Sequence, residues 1–168
     1  MPFGWKTALS FVALATLLIL LIGWLTISGA LPVKLVINYS DWASRFIQFW
    51  IVAAISIGLI LPGIAFLVWI RHPEPRLILG LYLLVLIIQI ATEHVLSSVL
   101  FPSIVVITGS IYTAFRLWQL WQGQQLMIRV AQTGTHSRTI MRGLLWILLL
   151  FWSSNLLVLL VLVWPSIL

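Results

Sequence analysis

Leu77 to Phe101 is an apolar run long enough to cross a bilayer, and it carries Glu93, the one acid of the chain set inside such a run. Other spans must pack around that acid or leave it to water, because charge in lipid is costly. Four further runs have comparable character: 7–27, 46–70, 103–121 and 143–163. The sequence therefore predicts an all-α, polytopic integral membrane protein, with residues 1–168 forming one domain of five transmembrane helices. Composition points the same way: 62% of the 168 residues are hydrophobic and only 7% are charged. A soluble domain carries about 25% charged residues. With no cysteine, disulfides, thiolate metal sites and Cys nucleophiles are excluded.

Residues 7–27 carry no charge, and Lys6 precedes them. Ser28-Gly29-Ala30 looks like a signal cleavage site, but the run exceeds the roughly 7–15 apolar residues of a signal core, which predicts a retained signal-anchor helix. In the connection 28–44, Val33, Leu35, Ile37 and Tyr39 recur at every second position, as in a short strand or an interfacial segment. Ser40 or Asp41 suits a helix N-cap. Span 46–70 is longer than a ~30 Å hydrocarbon core requires, and Pro62 should kink it and free the carbonyl of Gly58. Ala54 and Gly58 form a small-xxx-small pair suited to close helix contact, offering a groove for another helix. Arg71 to Arg76 reads as a proline-locked surface turn, and Pro102 as the first turn of the fourth helix. A turn is expected at Thr133-Gly134-Thr135, and Trp164-Pro165 should end the fifth span.

Basic residues orient the spans. With the N-terminus inside, Lys6, Arg71, Arg76, Arg116, Arg129, Arg138 and Arg142 fall on the inner side, and only Lys34 and Arg45 on the outer. That places the C-terminus outside. It also sorts Trp5, Trp69, Trp118 and Trp121 to the inner interface and Trp24, Trp42 and Trp164 to the outer, as an aromatic belt would.

Polar residues inside the spans are the candidates for function. Gln89 and Glu93 share one face of the third helix; Thr108, Tyr112 and Arg116, at steps of four, share one face of the fourth. A hairpin turning near Phe101 sets Glu93 roughly level with Ser110. Its expected partner is then Tyr112, with Arg116 about 7 Å deeper. Glu93 at the outer surface and Arg116 snorkelling to the inner one is the plain alternative. Asn155, near mid-membrane, suits an interhelical hydrogen bond. His94 points about 100° away from Glu93 and could serve as an axial ligand to haem or chlorophyll, although no second histidine lies at its depth. No cofactor and no metal site is otherwise expected. Arg129, Arg138 and Arg142 form a basic collar for anionic lipid or an acidic partner.

No Ser-His-Asp set, H-E-x-x-H motif, P-loop or dinucleotide fingerprint is present, and no basic stripe suits nucleic acid. Five spans and many tryptophans resemble the translocator-protein family in outline, but that family's tryptophan- and proline-rich first loop has no counterpart here. The leading expectation is an accessory, structural or assembly subunit of a larger membrane complex, with lipids and other membrane subunits as partners. The alternatives are a small carrier or channel built on Glu93, Tyr112 and Arg116, and a membrane-embedded enzyme acting on a lipid. The setting is a bacterial cytoplasmic membrane or an internal membrane such as a thylakoid.

Overall fold

The computed structural model describes residues 4–37, 39–129 and 135–168, and every regular element among them is helical. Four helices are long and apolar enough to cross a membrane: Trp5–Ile27 (α1), Asp41–Val68 (α2), Pro73–Val99 (α3) and Ser137–Ile167, the body of α5, which starts at Thr135. Between α3 and α5 lies α4, Ile104–Arg129, of similar length but richer in polar residues. Asn38 and the turn expected around Thr133 and Gly134 lie outside the described residues.

Helix ends are set by caps more than by hydropathy. Gly29, at φ +77°, lets α1 finish with Gly29 N–H donating to Thr26 and Ala30 N–H to Leu25, at 3.1 and 2.9 Å. The cleavage-like Ser28-Gly29-Ala30 is thus a helix cap. Ser40 Oγ accepts from Ala43 N–H at 3.3 Å and starts α2, with Asp41 in its first turn. The expected turn Arg71–Arg76 is shorter than read: α3 begins at Pro73, because proline suits the first helical turn, where no N–H is needed. Pro102 lies just ahead of α4, not inside it.

Two prolines leave a common signature. Ala54–Ile60, just before Pro62, is π-helical, and so is Leu159–Val163, just before Pro165. Each proline withholds the N–H that the carbonyl four residues earlier would accept, and the wider turn absorbs the mismatch. Trp164-Pro165 therefore does not end the fifth span; the helix runs on to Ile167.

The connection 28–40 forms no strand among its described residues and packs over one end of the bundle. Lys34 N–H donates to Ile167 O at 2.7 Å, and Val33, Ile37 and Tyr39 pack on Val106, Val163 and Ile167.

An α3–α4 hairpin forms the centre of the bundle. On one flank α5 packs through Met141, Leu145, Leu148 and Trp152 against Tyr82, Leu120 and Met127. On the other, α1 presents a stripe of Ala8, Ala15 and Ile19, and Phe11 stacks on Phe115 with ring centroids 3.6 Å apart. The second half of α2 joins the α5 flank through Ala65. Its first half, Asp41–Ala53, supplies no side chain to any of the three apolar clusters. That splay leaves room between α2 and α3.

Candidate functional site

The room is a cavity of about 350 Å³ bounded by α2, α3, α4 and α5. Its walls are mostly aliphatic, with Ile51, Ile55, Ile90 and Leu159 prominent, and Trp50 and Trp152 add aromatic faces. Three polar side chains from the spans line it: Gln89, Glu93 and Asn155. Tyr39 contributes from the connection; burial raises its phenol pKa above the ordinary value, so the hydroxyl stays neutral.

Glu93 lies against Gly109 of α4, where a Cβ would stand 3.5 Å from Glu93 Oε1, in ordinary contact. Gln89, one turn along α3, donates from Nε2 to Glu93 Oε1 at 2.7 Å. Arg116 Nη2 donates to Gln89 Oε1. Because guanidinium carries only donors, the orientation of the Gln89 amide follows: oxygen to Arg116, nitrogen to Glu93. A cation and a carboxylate are thus joined through one amide.

Arg116 is fully buried, and its guanidinium lies 4.0 Å from the Trp152 ring centroid and 5.7 Å from that of Tyr82. Trp152 Nε1 donates to Tyr82 Oη at 2.8 Å, and Tyr82 in turn donates to the carbonyl of Gly58. That is the carbonyl Pro62 leaves without its helical partner. One chain of contacts therefore runs from the π-helical segment of α2 to the carboxylate in the cavity. Gly58 itself is closed from within: a Cβ there would meet Trp152 Cζ2 at 2.7 Å. The small-residue groove is filled at that point by the protein's own tryptophan and is not free for another helix.

Asn155 ties α5 to two neighbours, accepting from Trp50 Nε1 at 2.8 Å and donating to Thr113 Oγ1 at 3.2 Å. Tyr112 does not meet Glu93 as expected. Its ring sits edge-on to Phe11 at 5.4 Å, and among the described residues its hydroxyl has no hydrogen-bond partner. The predicted depth is right, since Glu93 lies beside Gly109, but the side chain of Tyr112 is directed to the α1 flank. Glu93's hydrogen bond stays within α3, and Arg116 is reached only through Gln89.

His94 is exposed, next to the cluster but outside it. Of the basic collar, Arg129 is exposed, Arg138 Nη2 donates to Ile128 O at 2.7 Å near the end of α4, and the carbonyl of Arg142 accepts from Gln124 at 2.9 Å. Tyr82 and Trp152 are the participants that sequence reasoning missed. Tyr82 shares the α3 face of Gln89 and Glu93 by heptad spacing, and a tryptophan in mid-span needs a partner for its N–H. Comparison with protein-family models, with curated proteins and with solved structures finds no match.

Proposed function

We propose that this protein is a small carrier or binding protein that takes a lipophilic molecule into the cavity beside Glu93. The supporting observation is convergence: an aliphatic cavity of about 350 Å³ in which Gln89, Glu93 and Asn155 supply the polar groups from the spans. Binding sites of this size are mostly apolar, with a few polar groups to orient the ligand. Gln89, Glu93, Arg116 and Asn155 form the working set, and Tyr112 drops out of it.

In this reading α4 crosses the membrane with its neighbours, giving five spans with the N-terminus inside. Its 26 residues span about 39 Å at 1.5 Å per residue, and its polar groups turn inward, away from lipid. The cavity then lies in the outer half of the membrane. Single cysteines at His72 and Ala30, both exposed, test the orientation. An impermeant thiol reagent applied to intact cells should label the cysteine at 30 and spare the one at 72.

The subunit reading is favoured by one observation. Trp42, Phe49 and Val52 on the splayed half of α2 are exposed, a face that a partner helix could cover. Native mass measurement from nanodiscs separates the two. A 19.0 kDa species that retains an added lipophile, and loses it in Ile55→Trp at the cavity wall, supports the carrier. A larger stoichiometric complex without retained ligand supports the subunit.

A further inference from the structure

We infer that the ligand is a neutral lipophilic alcohol or phenol, whose hydroxyl donates to the second oxygen of Glu93 and whose apolar body enters sideways from the lipid between α2 and α3. This deepens the cavity reading above and rests on it.

Hydrogen-bonding capacity narrows the headgroup first. Asn155 is engaged with Trp50 and Thr113, Trp50 with Asn155, and Trp152 with Tyr82. Gln89 is held between Arg116 and Glu93. Glu93 uses Oε1 for Gln89, and its other oxygen makes no hydrogen bond among the described residues. It is also not sealed away, because Glu93 lines the cavity. The free acceptor on the deep wall is the second oxygen of Glu93, while Gln89 and Asn155 each keep one amide N–H, so a headgroup that fits the wall must donate as well as accept. A carboxylate, ester or ether head has nothing to give there, and a sugar or phosphate head would bury more polar atoms than the wall can satisfy.

Charge then separates the donors. Arg116 is a buried cation that does not shed its proton, and the Glu93 carboxylate, one amide away, is its counter-charge. The cluster is neutral as it stands. An ammonium head would add an uncompensated charge inside the membrane, whereas a hydroxyl leaves the sum at zero and still donates. The route follows from the fold: Ile51 and Ile55 of α2 and Ile90 of α3 line the cavity and are at the same time exposed. The cavity therefore meets the lipid between those two helices.

The test uses the full chain in nanodiscs, with empty nanodiscs subtracting partition into lipid. Calorimetric titration compares 4-pentylphenol, its methyl ether 4-pentylanisole, and 4-pentylbenzylamine. The phenol should bind about tenfold or more tightly than the ether, as expected when a site that hydrogen-bonds a hydroxyl meets an analogue lacking it, and more tightly than the amine. In Glu93→Gln the preference for phenol over ether should shrink to within about threefold, by the same argument. Ile55→Trp should abolish binding of all three. An ether that matches the phenol, an amine that exceeds it, or a phenol preference that survives Glu93→Gln overturns the hydroxyl assignment while the cavity reading stands. Absence of binding by every probe, with wild type and Ile55→Trp alike, overturns the cavity reading itself. The comparison of phenol with ether in the wild type holds whether or not Glu93→Gln folds.

Discussion

Helices α1 and α4 are similar in length and opposite in design. Five of the 23 residues of α1 are buried, and its exposed surface is mostly Leu, Ile and Trp; in α4 thirteen of 26 are buried, among them Thr108, Thr113, Arg116, Gln119 and Gln124. By composition α1 is an unmistakable membrane span, and α4 is not counted as one. Yet α4 is the helix on which α1, α3 and α5 converge. Hydropathy measures what a helix shows to lipid, and a helix that shows it little is free to carry polar residues. In this protein the weakest hydropathy signal marks the centre of the bundle.

Substitutions on the two helices should therefore differ in size and, at one position, in sign. Arg116→Leu should have the largest effect, about 3–5 kcal/mol of destabilisation, because Gln89 and Glu93 would lose the cation that their arrangement serves. Denaturation by SDS in mixed micelles reads it, and Arg116→Leu combined with Glu93→Gln should recover much of the loss. Stability unchanged by Arg116→Leu would break the contrast.

Glycine to alanine comes next. At Gly123 on α4 a Cβ would lie 2.8 Å from Cγ2 of Ile78, a stiff β-branched side chain, and the cost should be about 1–3 kcal/mol. At Gly23 on α1 the obstacle, at 2.9 Å, is the far end of Leu100, which can rotate away, so the cost should stay below about 1 kcal/mol. Equal costs in the same assay would show that the two helices are packed alike.

Tyr112→Phe is the test of sign. Had its hydroxyl paired with Glu93, removal would destabilise; with no partner for that buried hydroxyl among the described residues, removal should stabilise by up to about 1 kcal/mol, read as a higher melting temperature. The smallest effect belongs to Leu14→Ala on the lipid face of α1, where Leu14 is 68% exposed, with a change within about 0.5 kcal/mol in the same melt.

Periodicity and hydropathy made α1 legible almost to the residue, since its ends coincide with the ends of its apolar run. They made α4 and α5 too short, because both helices run on through polar residues, α4 to Arg129 and α5 from Thr135. The candidate site was legible in part. Gln89, Glu93 and Arg116 stand out as polar residues in apolar spans, and helix rise set Glu93 at the right depth beside Gly109. Tyr82 and Trp152 did not stand out, because in a membrane protein an aromatic residue also suits an interface or a core.

Sequence by itself determined that the chain is a bundle of apolar helices, where α1 begins and ends within a few residues, and that Pro62 would strand the carbonyl of Gly58. Each of these follows from groups near one another in the chain: caps, a missing N–H, the spacing of apolar positions. Tertiary structure alone decided that Tyr82 of α3 would take up that carbonyl, that Gln89 and not Tyr112 would stand between Glu93 and Arg116, and that the first half of α2 would leave a cavity beside them. Those outcomes depend on how the helices are rotated about their axes. In lipid, where apolar faces gain little from one another, that rotation is set by the few polar and small residues that must find partners across the bundle.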